Sequence, residues 1–250
     1  MISRISRTVI TLVLSLAAAA AGAQDKAVDK AVLERLTAAL NSKAMGLKVG
    51  TVERSEIPGI YAVQFDNGPL VYATEDGSYF IHGDLFAVNK GDYVNLSERR
   101  RDTDRKDQLA QVDEADMIIF KPEGEPRAVL SVFTDTSCFY CQKLHKEVPE
   151  LNKRGVEVRY LAFPRAGVGS AAYSHMVTAW CSENRQEALT KLKNKQSVPA
   201  VECADNPVIA EYELGQRLGV RGTPALITET GQLIPGYQTV DQLMVTLGLE

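Results

Sequence analysis

Beyond its first 23 residues the chain has no apolar run approaching 18 residues, so nothing after that point reads as a membrane-spanning helix. It also lacks a basic patch. Arg99, Arg100 and Arg101 are diluted by Glu98, Asp102 and Asp104, and the formal net charge is −4. Nucleic acid is therefore not an expected partner. Glycine and proline are missing from Glu98 to Ala115, a charged stretch whose only aliphatic residues apart from alanine are Leu109 and Val112. It reads as a solvated linker helix with no binding role. Cysteine is scarce, with four among 250 residues, and their placement carries most of the chemistry.

The first 23 residues read as a secretory signal peptide. Arg4 and Arg7 form a positive start, Thr8 to Ala20 carry no charge, and Ala21-Gly22-Ala23 offers small residues for cleavage. The mature chain would begin at Gln24, with about 227 residues, enough for two domains. Losing two arginines and no acid takes its net charge from −4 to −6. In an exported protein, four cysteines suggest two disulfides. Cys138 and Cys141 are too close for their bond to restrict much chain. Cys181 and Cys203 flank a longer loop, and linking them is worth roughly 3 kcal/mol in the loop-entropy model. The second pair reads as structural and the first as reactive; scrambled pairing is the alternative.

The reactive pair sits at a strand-to-helix junction. Ala128 to Phe133 form an apolar run, Thr134 to Ser137 are rich in helix-capping residues, and Leu144, Val148 and Leu151 recur at helical spacing. Cys138 and Cys141 thus fall at a helix N-terminus, where unpaired N–H groups and the helix dipole favour an anion. At such positions a cysteine pKa falls from about 8.5 into roughly the 3.5–7.5 range. Cys138 is expected to be ionised and exposed, and Cys141 more buried. Lys143 and His145, nearby, are expected on the exposed side of the helix; electrostatic tuning of the nucleophile is the alternative.

Upstream, Asp25 to Ser42 reads as a helix with Val28, Val32, Leu36 and Leu40 on one stripe, followed by short strands at 49–53, 61–65, 70–74 and 79–82. One helix on a small antiparallel sheet has a marginal core and gains stability by pairing with a copy of itself. Packing on the second domain is the alternative. From Met117 the pattern becomes strand (117–120), strand (128–133), helix, strand (156–163), helices (171–194 and 207–218), a hairpin (225–228 and 232–234) and a closing helix (240–247). A cysteine pair in a βαβ setting is the sequence signal for a thioredoxin-like fold, here with a helical insertion. The expected class is α+β. Its parts are a signal peptide (1–23), a small dimerisation domain (24–96), a linker helix (97–116) and a thioredoxin-like catalytic domain (117–250).

Gly222-Thr223-Pro224 lies just before a strand. Proline cannot continue a ladder there, and X-Pro bonds tolerate cis at about 0.5–1 kcal/mol. If cis, Pro224 would face the cysteines and Thr223 would offer its backbone to an extended substrate; an ordinary trans turn is the alternative.

Several segments together resemble the DsbC family of periplasmic disulfide isomerases, and less closely DsbG. They are Phe133-Thr-Asp-Thr-Ser-Cys-Phe-Tyr-Cys141, Arg159-Tyr-Leu-Ala-Phe-Pro-Arg165, Ala179-Trp-Cys181, Leu218-Gly-Val-Arg-Gly-Thr-Pro-Ala225, Pro235-Gly-Tyr237 and Leu70-Val-Tyr-Ala-Thr-Glu-Asp-Gly77. The resemblance implies a periplasmic homodimer that binds misfolded disulfide-containing exported proteins in a shared cleft, with a membrane reductase of the DsbD type as electron donor and no cofactor. It implies Cys138 as nucleophile, Cys141 as resolving thiol, Cys181–Cys203 as a structural disulfide and Pro224 as cis. Thr223, Pro224, Phe139 and Tyr140 are the expected substrate-contacting residues. Phe139 departs from the family pattern, which has Gly or Pro there, and it bears on the balance of isomerase, reductase and oxidase activity. Two other readings compete: a zinc site seeded by Cys138, Cys141 and His145, lacking a nearby fourth ligand, and a chaperone dimer that binds unfolded chains without chemistry.

Overall fold

The computed structural model describes residues 28–66 and 68–250, so the expected signal peptide, the start of the first helix and Asn67 lie outside the described residues. By contacts the chain divides into two units, 1–84 and 85–250.

In the first unit, α1 (Lys30–Leu40) is capped by the Asp29 carboxylate, which accepts the Ala31 N–H at 2.8 Å. Its stripe of Val32, Leu36 and Leu40 is buried on an antiparallel sheet ordered β1-β2-β3-β4, made of β1 (Val49–Arg54), β2 (Ile60–Phe65), β3 (Leu70–Thr74) and β4 (Phe80–Ile81). The helix meets Val49, Tyr61, Val63, Phe65, Val71 and Ala73 in one small core. Between β3 and β4 the chain turns at Gly77. Its φ of +71° suits glycine, and a Cβ there would lie 2.5 Å from the Ala39 Cβ. The last strand is shorter than the 79–82 stretch expected. Only Phe80 and Ile81 pair with β3, and both are exposed on the sheet edge.

The second unit opens with a hairpin, β5 (Phe86–Asn89) and β6 (Asp92–Asn95), and α2 (Leu96–Leu109), capped by Asn95. The Leu85 N–H donates to Ser97 Oγ at 2.8 Å and the Leu96 N–H to the Leu85 carbonyl at 2.8 Å, which ties the hairpin to this helix. The expectation of a solvated linker helix is corrected here. Arg105 is only 4 % exposed. Its guanidinium donates to the Leu218 carbonyl at 3.0 Å and to Glu98 and Asp102 at 2.7 and 2.9 Å. A polar helix can dock when one arginine satisfies a loop carbonyl and carries its own counter-charges with it. Gly231, at φ +87°, marks the same contact: a Cβ there would collide with the Asp102 carbonyl.

Five strands follow in the order β11-β10-β8-β9-β7: β7 (Ile118–Phe120), β8 (Ala128–Thr134), β9 (Val156–Ala162), β10 (Ala225–Thr228) and β11 (Leu233–Pro235). Only β8 and β9 are parallel, joined by α3 (Phe139–Lys153). The helical stretch at 171–194 is two helices, α4 (Ala171–Cys181) and α5 (Arg185–Lys193). The break follows from Asn184, whose side chain accepts the Glu187 N–H at 3.0 Å and starts a new helix. Then come α6 (Val208–Arg217) and α7 (Val240–Thr246). The helices cover the sheet over a core that includes Leu130, Val132, Leu144, Val158, Tyr160 and Trp180, all nearly inaccessible. Among the described residues no helix is long and apolar enough to cross a membrane.

Candidate active site

The central strand β8 ends at Thr134 and delivers the chain into a short loop that Asp135 holds rigid. One oxygen of its carboxylate accepts the Ser137 N–H and hydroxyl, each at 2.7 Å. The other accepts the Arg165 N–H at 3.0 Å and its Nε at 3.2 Å. Burial works against the charge on Asp135, but these hydrogen bonds outweigh it and hold its pKa below the ordinary carboxylate range. The Asp135 carbonyl accepts the Cys138 N–H at 3.2 Å. Cys138 is thereby fixed as the N-cap of α3.

As an N-cap, Cys138 turns its sulfur back over the helix, where it accepts the Cys141 N–H at 3.4 Å. This corrects the expectation that Cys138 is exposed. The residue is 3 % accessible, because capping turns the sulfur inward and Thr223 closes over it. Its thiol donates to the Thr223 carbonyl at 3.2 Å. The two residues between the cysteines remain outside: Phe139 is 68 % and Tyr140 55 % exposed.

The electrostatics of the two sulfurs diverge. A hydrogen bond from the Cys141 thiol is the largest influence on Cys138. With help from the Thr223 side chain, the Cys141 N–H and the nearby Arg165 charge, it outweighs burial and pulls the pKa down to about 5. Cys141 is wholly inaccessible, and burial above all pushes its thiol far upward, with the Cys138 hydrogen bond acting in the same sense. Thr223 also brings a buried hydroxyl to the sulfurs. Among the described residues it has no hydrogen-bond partner, and it favours charge on either cysteine. The Thr223–Pro224 peptide is cis, and the Pro224 carbonyl accepts the Gly236 N–H at 2.9 Å.

That last bond brings Tyr237 beside the motif. Its ring stacks on Tyr140 with centroids 6.2 Å apart, and Tyr140 meets Phe139 edge-on at 5.4 Å. Lys143 lies 4.4 Å from the centroid of the Tyr237 ring. An aromatic rim, built from both ends of the domain, thus borders the cysteines.

His145 does not lie on an exposed face, as expected; it is 6 % accessible. Its Nδ1 pairs with the Tyr160 hydroxyl at 3.0 Å and its Nε2 with Thr190 Oγ1 at 2.9 Å. Burial, reinforced by the Lys193 charge, lowers its pKa to about 3, so it is neutral. Both ring nitrogens are engaged away from the sulfurs, so the histidine the zinc reading needs is not free to ligate. Among the described residues no group of three or more His, Cys, Asp or Glu is arranged to hold a metal. Cys181 and Cys203 are bonded to each other, with Cα atoms 5.6 Å apart, and link the end of α4 to the segment before α6.

Sequence reasoning did not single out Asp135, Arg165, Tyr237 or Lys193. Asp135, two residues before Ser137, carries an Asx-turn signal. Arg165 and Tyr237 fall in segments of recognised resemblance, but no local pattern gives them a role. Lys193, 2 % accessible and 52 residues beyond Cys141, gives no such signal.

A cysteine pair at the N-terminus of the helix after a central parallel strand, one thiol acidified and the other buried, facing a cis-proline loop, defines a thiol–disulfide exchange protein of thioredoxin fold. The comparisons agree. Residues 113–248 match the family model of a thioredoxin-like domain, and residues 17–98 match that of the disulfide bond isomerase protein N-terminal domain. The thiol:disulfide interchange protein DsbC of Dickeya dadantii is 35 % identical over 241 residues, covering 96 % of this chain and 94 % of its own. That of Escherichia coli K12 is 36 % identical over 196 residues, covering 78 % and 79 %. Among solved structures, Proteus mirabilis ScsC in a transitional conformation shares the fold, with TM-score 0.50 and 21 % identity over 60 % of this chain and 79 % of that one. The chain belongs to the DsbC family of thiol:disulfide interchange proteins.

Proposed function

We propose that the protein reshuffles incorrect disulfides in exported proteins, with Cys138 as nucleophile and Cys141 as resolving thiol. The observation that carries this is the Cys138 sulfur capping α3, with its pKa drawn to about 5 while Cys141 stays protonated. The Cys138 thiolate attacks one sulfur of a substrate disulfide; the S–S bond breaks, and the other sulfur leaves as a thiolate. A second substrate thiolate then attacks elsewhere and releases Cys138, with no net change in oxidation state. If release stalls, Cys141 loses its proton and attacks Cys138, leaving the enzyme oxidised and the substrate reduced by two electrons. Burial of Cys141, which disfavours its thiolate, works against this exit and so favours rearrangement of the mixed disulfide. An oxidised enzyme then needs an external dithiol, and a membrane reductase of the DsbD type fits that need. No cofactor is required, since the sulfurs carry the electrons.

Thr223 and Pro224 would hold the substrate backbone beside Cys138, and Phe139 and Tyr140 would grip its apolar side chains. The exposure of both aromatic rings supports chaperone-like binding of unfolded chains. Residues 24–96 would dimerise, 97–116 link and 117–250 catalyse. Support for self-association comes from β4, an edge strand with Phe80 56 % and Ile81 68 % exposed. A periplasmic location is supported by the signal-peptide-like start of the sequence and by membership of the DsbC family. The test is refolding of a scrambled multi-disulfide protein: the wild type should restore correct disulfides, Cys138→Ala should not, and equal rates would refute the catalytic reading.

A further inference from the structure

Lys193, in the last turn of α5, is 2 % accessible. Among the described residues no carboxylate lies within 4 Å of its ammonium. A buried cation without a counter-ion is costly, and proteins retain one where something supplies the missing charge. Its Nζ donates to Thr134 Oγ1 at 2.6 Å and sits 5.4 Å from the centroid of the Tyr160 ring. Thr134 is the residue from which β8 enters the cysteine loop, and Tyr160 lies on the adjacent strand β9. The charged and titratable groups facing the ammonium are Cys141 and His145 from α3, Cys138 at its N-cap, Asp135 from the loop and Tyr160 from β9, whose hydroxyl burial keeps neutral. Asp135 is already engaged by Ser137 and Arg165, and His145 is neutral. The one anion left to match the lysine is the one that exists only when the cysteines are reduced.

We propose that Lys193 is a positioning residue whose buried ammonium is the fixed counter-charge of the reduced Cys138–Cys141 pair, so that it favours the dithiol form over the disulfide. The inference rests on the reading of Cys138 and Cys141 as the reactive pair. In reduction by glutathione the Cys138–Cys141 bond breaks and one glutathione disulfide forms, two electrons passing to the protein. Of the two glutathione thiol protons, one goes to Cys141 and one to solvent, because Cys138 remains a thiolate. In the oxidised protein the ammonium keeps only the Thr134 hydroxyl and the Tyr160 ring.

The test uses the full mature protein with Lys193→Met, which keeps the volume and removes the charge. Equilibrated with glutathione and its disulfide, the variant should favour the Cys138–Cys141 disulfide at least tenfold more than the wild type, about 30 mV more reducing. Its Cys138 alkylation midpoint should rise. Lys193→Gln, which can still bond Thr134, should shift the same way and serves if the Met variant does not fold. In the wild type alone, the Lys193 side-chain resonance should titrate at lower pH in the oxidised than in the reduced form. Neutral variants that equilibrate within twofold of the wild type, melting lower by the same amount in both redox states, would show a merely structural lysine and overturn the proposal, as would equal lysine midpoints. If instead the wild-type Cys138 itself alkylates as an ordinary thiol, it is the reactive-pair reading that fails, and the inference with it.

Discussion

Cys138 and Thr223, 85 residues apart in the chain, meet at 3.2 Å, sulfur to carbonyl oxygen. The hydroxyl of the same threonine is buried, makes no hydrogen bond among the described residues, and favours charge on both sulfurs. One residue therefore serves the neutral thiol through its backbone and the thiolate through its side chain. Thr223→Val keeps the shape and removes only the hydroxyl. A hydrogen bond to a charged group is worth about 1.5–3 kcal/mol, and one pKa unit is about 1.4 kcal/mol. The Cys138 alkylation midpoint should therefore rise by about one unit or more, while the unfolding transition of the oxidised form moves little. An unchanged midpoint would mean that the hydroxyl does not reach the anion.

The asymmetry between the two sulfurs predicts how the enzyme stalls. Cys141→Ser removes the resolving thiol but leaves the N–H that caps onto Cys138. Covalent complexes between the variant and thiol-containing substrates should accumulate, resolvable on non-reducing gels, and should vanish when Cys138 is also replaced. Isomerisation of a scrambled substrate should persist in the single variant, because that route needs only Cys138. Loss of isomerisation together with reduction would instead place Cys141 on the main path.

Much of this site is written locally. The capping residues before Cys138 and the spacing of Leu144, Val148 and Leu151 suffice to set two sulfurs at a helix start, because caps and helical stripes are short-range properties. What does not show locally is which way the N-cap sulfur turns. The exposure expected for Cys138 fails because the α3 amide and the distant Thr223 draw the sulfur inward. The exposure expected for His145 fails for a related reason, and Lys193 goes unnoticed for the same one. Polar residues on helices read as solvated until the fold brings Tyr160, Thr190 and Thr134 over them. The docking of α2 was hidden in the same way, since Arg105 needs a carbonyl 113 residues away.

The Cys181–Cys203 bond closes 22 residues that include all of α5 and hence Lys193. Replacing both cysteines by serine should cost about 3 kcal/mol on the loop-entropy model. At roughly 2–4 °C per kcal/mol for a domain of this size, the melting temperature should fall by about 6–12 °C. Scanning calorimetry with the 138–141 pair held reduced isolates the effect. A loss well below about 1 kcal/mol would mean that the loop stays ordered without its staple.

Glu211 gives a stability test separate from the chemistry. The side chain is 2 % accessible, and burial raises its pKa well above the ordinary range, although it accepts the Ala162 N–H at 2.6 Å. A carboxyl whose folded pKa is raised stabilises fully below its unfolded value, about 4.3, and loses that contribution as pH climbs toward the folded value. Glu211→Gln keeps an acceptor for the Ala162 N–H and cannot ionise. Near pH 4 it should match the wild type within about 1 kcal/mol, and as pH rises from there to neutrality it should become progressively more stable than the wild type. Glu211→Leu removes the acceptor and should cost about 1–3 kcal/mol for the orphaned amide. Denaturant unfolding of all three proteins at several pH values separates the effects. A Gln variant whose stability runs parallel to the wild type across that range would mean that Glu211 is ionised in the fold, and that its charge is matched by a group other than the backbone amide it touches.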